Sequence, residues 1–216
     1  MLINNLQDAV NIPVKLHHLK ETKSFIKQAK KAGQRVVIVT GCFDLLHNGH
    51  VRFLKQAKTN GDVLVVGIED DHRVRAFKGP FRPVNSILQR VEVMEALEFV
   101  DFVFVISGSP KVEPRRFYTI LHKILGADAL AITEGDPNIQ ARKEQINAVG
   151  GELITCSLLI NGSTTSLIRR FLSETNFPNQ FIKKEATIKE RSVKSLSYWE
   201  QLELPKDFNK QDNSKK

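Results

Sequence analysis

At 216 residues, 41% of them hydrophobic and 26% charged, the chain holds one domain with a full core and is too short for two large ones. Its formal charge of +8 is dispersed, with nine Lys or Arg against seven Asp or Glu in residues 173–216 and no dense basic block with interleaved aromatics, so a field that draws in small polyanions is expected rather than a nucleic-acid grip. No run approaches the roughly 20 apolar residues of a membrane span, and Met1 to Val14 lacks the basic start and apolar core of a secretory signal, which makes a cytoplasmic protein the expectation.

In chain order, residues 18–32 place Leu19, Phe25, Ile26 and Ala29 among lysines, the spacing of an amphipathic helix that Gly33 would end. Residues 1–34 are thus a helical lead-in. Apolar, β-rich runs then recur at Val36–Thr40, Val63–Ile68, Phe102–Ile106, Ala129–Thr133 and Leu153–Cys156. Helical spacing fills most of the intervals, over 51–59, 86–98, 114–124, 138–148 and 164–172. Strand and helix in alternation predict an α/β, Rossmann-like, doubly wound parallel sheet of five strands with helices on both faces. This domain runs over 35–172.

Residues 69–85 interrupt the alternation with Glu69-Asp70-Asp71-His72-Arg73 and Lys78-Gly79-Pro80-Phe81-Arg82-Pro83. They read as a long connection on the binding edge of the sheet, able to fold over a ligand. Residues 173–216 form a charged extension in which Val193, Leu196, Trp199 and Leu202 are spaced at three, a short amphipathic helix, followed by a tail expected to be disordered.

The first main strand leads into Gly41-Cys42-Phe43-Asp44-Leu45-Leu46-His47-Asn48-Gly49-His50. A buried strand, a tight turn bearing two imidazoles and a helix opening at Gly49 or His50 make a place for phosphate, because free backbone N–H groups at the helix start meet two hydrogen-bonding rings. In open α/β sheets ligands bind beyond the carboxyl ends of the strands, and His47 and His50 fall on that edge. Cys42 and Cys156 have neither metal-ligand nor C-x-x-C spacing. They are expected to be reduced thiols, Cys42 lending its backbone to a ligand rather than acting as a nucleophile. Ser163, Thr164 and Thr165 precede Leu167, Ile168 and Phe171 and read as a helix cap.

The decapeptide resembles the G-x-F-D-x-x-H-x-G-H signature of the cytidylyltransferase-like nucleotidyltransferases. Lys78-Gly79-x-x-Arg82-Pro83-Val84-Asn85, Gln89-Arg90, Gly135-Asp136 and Ser163-Thr164-Thr165 extend the likeness in order over about residues 35–172. Within that superfamily the chain is similar to the adenylyltransferase domain of bacterial ADP-heptose synthases, without the fused sugar-kinase domain of the bifunctional versions. The resemblance implies nucleotidyl transfer from a triphosphate, ATP ahead of CTP, to a phosphorylated sugar, heptose 1-phosphate first, with release of pyrophosphate. It also implies a homodimer. ATP leads because Leu159-Ile160-Asn161-Gly162 stands where cytidylyltransferases carry Arg-Thr-x-Gly-Ile. A CTP-dependent enzyme acting on glycerol 3-phosphate or phosphoethanolamine is the alternative, and a nucleotide-binding module without catalysis a third.

On this likeness His47, His50, Lys78 and Arg90 would be catalytic, donating hydrogen bonds and charge to the phosphates. Gly41, Cys42, Phe43, Asp44, Gly49, Gly135, Asp136, Ser163, Thr164 and Thr165 would bind nucleotide, Asp44 and Asp136 orienting ribose or helping to hold Mg²⁺, and Arg82 would meet the acceptor's phosphate. The Mg²⁺ follows from triphosphate chemistry alone; no residue has metal-ligand spacing. Such transfer is in-line attack on the α-phosphorus, in which the protein positions groups and stabilises charge without a covalent nucleophile.

Overall fold

A computed structural model of the chain describes residues 16–157. The cap residues Ser163 to Thr165, the predicted 164–172 helix and the Trp199 stretch lie outside the described residues. Helix α1 (Leu19–Lys31) precedes β1 (Val36–Gly41), α2 (Asn48–Lys58), β2 (Val63–Glu69), α3 (Asp71–Lys78), α4 (Ile87–Glu95), β3 (Phe102–Ile106), α5 (Pro114–Leu125), β4 (Ala129–Thr133), α6 (Ile139–Asn147) and β5 (Glu152–Cys156).

The strands form one parallel sheet in the order β3-β2-β1-β4-β5. Register is set by pairs such as Val36 with Val63, Val65 with Phe102, Val37 with Ala129 and Ala129 with Glu152. Alternate strand residues point to opposite faces, and each face has its own apolar layer. Val36, Ile38, Val63, Val65, Phe104 and Leu130 pack with Ile26 of α1, Leu121 of α5 and Ile146 of α6. Val37, Val39, Leu64, Val66, Val103 and Ala129 pack with Leu54 of α2 and with Val91 and Met94 of α4. The doubly wound sheet predicted from the alternation is therefore the fold observed. Having both faces covered is what makes the strand runs continuously apolar rather than alternating.

The chain winds outward from β1 through β2 to β3 and then returns to the other side of β1 for β4. The order reverses between β1 and β4. Connections leaving the carboxyl ends of these two strands diverge to opposite faces and open a crevice between them.

Besides the start of α2, two elements depart from the periodicity. Residues 71–78 form α3, where the sequence reads as a connection. Asp70 caps that helix through a hydrogen bond from the Arg73 amide at 2.8 Å, but it buries only Arg73 and Val74, so no apolar stripe announces it. Helix α4 stops at Glu95 rather than running to residue 98, with Ala96 as its C-cap.

Candidate active site

The turn after β1 is built around a non-glycine residue in the left-handed region, Phe43 at φ 43°. Such a backbone persists only where its surroundings hold it. The Phe43 ring is buried and meets the His50 ring edge-on, centroids 5.3 Å apart. It also lies so close to Gly41 that a Cβ there would stand 2.9 Å from Phe43 Cε2. A side chain at position 41 would thus displace the ring that backs His50.

Helix α2 opens at Asn48, one residue ahead of Gly49 and three ahead of its apolar spacing over 51–59, with His47 as N-cap. His47 Nδ1 accepts from the Gly49 amide at 3.1 Å, which leaves the ring proton on Nε2. Its ring stacks on His50 at 3.8 Å. Burial pulls the His47 pKa below the ordinary histidine value. At His50 burial, seconded by the charge His47 would carry, brings it to about 4 against the opposing pull of Asp44 and of a hydrogen bond to the Leu45 backbone. Both rings are therefore neutral at pH 7 and present N–H donors rather than cations. The backbone amides of Asn48 and His50, in the first turn, have no partner inside the helix.

Asp44 was expected to orient ribose or hold a metal. It is instead committed to the protein: with its side chain wholly buried, it accepts from Arg82 Nε at 2.6 Å, from the Val84 amide at 2.8 Å and from the Asn85 amide at 2.9 Å. Arg90, expected to offer charge to phosphate, is likewise committed. Its fully buried guanidinium donates to the carbonyl of Cys42 at 2.6 Å, to the carbonyl of Asn85 at 3.1 Å and to Asp71 Oδ1 at 2.7 Å. Together these two charges clamp residues 82–85 and the start of α3 onto the β1–α2 turn. A buried ion of either sign is tolerated because its hydrogen-bonding capacity is filled this way.

Beyond the turn lies a cleft of about 320 Å³. One wall carries Gly41 to Asp44, His50, Lys78 and Arg82; the other carries Ala131, Ile132 and Thr133 of β4, then Asp136 and Arg142. Lys78, at the end of α3, forms no ion pair among the described residues. Asp136 follows Gly135, whose φ of +79° is in the region favouring glycine, and its Oδ1 accepts from the Asn138 amide at 2.7 Å. Cys42 lines the cleft, but burial and then the charge of Glu69 push its thiol pKa up, so it stays protonated and is no nucleophile. Both cysteines are free. His47, stacked on His50, and Arg90, bonded to the turn, are not among the residues that line the cleft. Arg142 was missed, because an arginine three residues after Ile139 in a polar helix reads as a solvated cation.

A doubly wound parallel sheet whose switch-point crevice has a histidine pair on a helix start, with basic residues lining it, is suited to binding a nucleotide's phosphates, and the family match that follows makes the class a nucleotidyltransferase. The cytidylyltransferase-like family model matches residues 38–171, and the chain belongs to that family. Among curated relatives it is 38% identical over 148 residues to the bifunctional protein HldE of Halorhodospira halophila (strain DSM 244 / SL1), covering 68% of this chain and 30% of that protein. It is 34% identical over 158 residues to the bifunctional protein HldE of Geotalea uraniireducens (strain Rf4), covering 72% and 31%. The chain thus spans about 30% of the length of these relatives. A pantoate-beta-alanine ligase structure from Francisella tularensis, complexed with beta-gamma ATP and beta-alanine, shares the fold at TM-score 0.54 and 17% identity, covering 83% of this chain and 80% of that one. Among the described residues no helix is long and apolar enough to cross a membrane.

Proposed function

We propose that this protein transfers the adenylyl group of ATP to a sugar 1-phosphate, heptose 1-phosphate first, with release of pyrophosphate. The observation that carries the reading is the neutral His47–His50 stack on the first turn of α2, on the same cleft wall as Lys78, which forms no ion pair among the described residues, at the sheet's switch point. In the reaction an oxygen of the acceptor's phosphate attacks the α-phosphorus, the α–β bridging bond breaks, and its electron pair leaves with pyrophosphate. The nucleophile is already an anion, so no side chain need remove a proton.

Charge that builds on the non-bridging and leaving oxygens meets N–H donors from His47, His50 and the first turn of α2, and the ammonium of Lys78. Arg82 lines the same wall with its Nε retained by Asp44. Gly135 and Asp136 receive the ribose. Mg²⁺ entering with the triphosphate fits Asp136, the carboxylate left in the cleft once Asp44 is spoken for; it would neutralise phosphate charge while keeping most of its ligands from phosphate and water. Identity with the HldE proteins supports the sugar phosphate, and the missing arginine before Ser163 supports ATP over CTP.

The test is pyrophosphate release with Mg²⁺, pairing ATP or CTP with heptose 1-phosphate, glycerol 3-phosphate and phosphoethanolamine. Release from ATP with the heptose is expected. Release confined to CTP with an alcohol phosphate would replace this reading with the cytidylyltransferase alternative. Tight ATP binding without release for any acceptor would leave a binding module.

A further inference from the structure

Joining two phosphate-bearing molecules requires cationic groups in two places, one for the triphosphate and one for the acceptor. The first wall of the cleft supplies Lys78 beside the helix start. Arg82 on that wall is already paired with Asp44 at 2.6 Å, so most of its charge is answered within the protein. The second wall carries one cation, Arg142.

Arg142 stands one turn into α6, where its amide donates to the Asn138 carbonyl at 2.9 Å. Its guanidinium carbon lies over the Tyr118 ring, 4.3 Å from the ring centre, a cation–π contact that restrains the fork. The ring is fixed in turn. Tyr118 is buried and donates its hydroxyl to Glu69, and Glu69, at the end of β2 and also buried, accepts from Arg73 Nε.

The only carboxylate in that cluster is thus spent on Tyr118 and Arg73, and no ion pair is formed by Arg142 among the described residues. Its Nη1 is shut off from solvent and has no hydrogen-bond partner. Its Nε and Nη2 are neither shut off nor bonded to any described residue, so that edge is the one an anion in the cleft would reach and answer. A planar fork on an aromatic platform matches the two oxygens of a phosphate monoester.

We infer that Arg142 binds the acceptor's phosphate from the β4–α6 wall. This rests on the nucleotidyl-transfer reading above. In-line attack brings the acceptor to the α-phosphorus from the side away from pyrophosphate. With the triphosphate on the α2 start and Lys78, the wall across the cleft is where that second phosphate enters.

The experiment compares the full chain with Arg142→Gln and Arg142→Lys, using ATP, Mg²⁺ and heptose 1-phosphate. The glutamine variant should raise KM for the acceptor at least tenfold and leave KM for ATP within about twofold, with the lysine variant in between. Inorganic phosphate should inhibit the unaltered protein competitively against the acceptor and lose at least tenfold in potency in Arg142→Gln, which a merely structural role would not produce. An unchanged acceptor KM, or a rise in KM for ATP in its place, overturns the assignment. If the unaltered protein turns over no acceptor, the function reading fails separately. The inference is then decided by calorimetric titration of inorganic phosphate into protein loaded with a non-hydrolysable ATP analogue. Binding weakened at least tenfold by Arg142→Gln supports it, and equal binding, or none to the unaltered protein, overturns it.

Discussion

His47 and His50 lie with ring centres 3.8 Å apart, and two imidazolium rings at that separation would repel strongly. Burial resolves the conflict by keeping both neutral, so what they lend to a phosphate is directed N–H donation rather than net charge. Net charge comes instead from Lys78. This division explains why His47 gives its Nδ1 to the Gly49 amide: the capping bond fixes the tautomer with Nε2–H outward. His50→Ala should therefore keep its fold by circular dichroism and lose about a hundredfold or more in kcat, the usual scale for one transition-state donor, while the affinity for ATP changes little. Equal turnover in the variant would remove His50 from the chemistry.

The elements around the cleft are held by the Asp44 and Arg90 clamp, which ties together the β1–α2 turn, residues 82–85 and the start of α3. Arg90→Met would leave the Cys42 and Asn85 carbonyls and Asp71 without their donor, and the loss should be about 3–5 kcal/mol in urea unfolding. Residual enzyme should show a raised KM for ATP, because the strap between Lys78 and Asn85 would no longer be seated; unchanged stability would show that the clamp is not needed. The clamp also marks the boundary of what residue types reveal. Strand runs and the helical stripes of α1, α2 and α5 follow from period alone, and the His47-to-His50 turn is readable because helix start, glycine and imidazoles are adjacent in sequence. Arg90 and Asp44 were legible as functional residues but not in role, since each has its partners at sequence distances of 5 to 48 residues. Helix α3 was hidden by having Val74 as its one buried apolar residue. Arg142 was hidden because only the packing of α6 beside α5 brings it over Tyr118.

Across the molecule, stability should depend on pH through histidines buried without charge. His122 of α5 is 1% exposed and neither ring nitrogen has a hydrogen-bond partner. Burial, and then the nearby charge of Arg142, bring its pKa to about 4, and His50 reaches about 4 for its own reasons. In the unfolded chain both would titrate near 6.5. Between those values the unfolded state binds protons that the folded state refuses, so stability is fully present above about pH 6.5 and is lost as pH falls toward 4. The two groups together would remove about 4–6 kcal/mol over that window. His122→Leu separates the contributions: it deletes an imidazole with no partner to lose, so the variant should match or exceed the unaltered chain at pH 7 and retain about half of the acid loss, with His50 still titrating. Urea unfolding of both proteins at pH 7 and pH 4.5 checks this. A variant whose stability falls with acid as steeply as the unaltered chain would show that His122 does not remain neutral in the folded protein, and that the charge of Arg142 is answered closer at hand than the fold indicates.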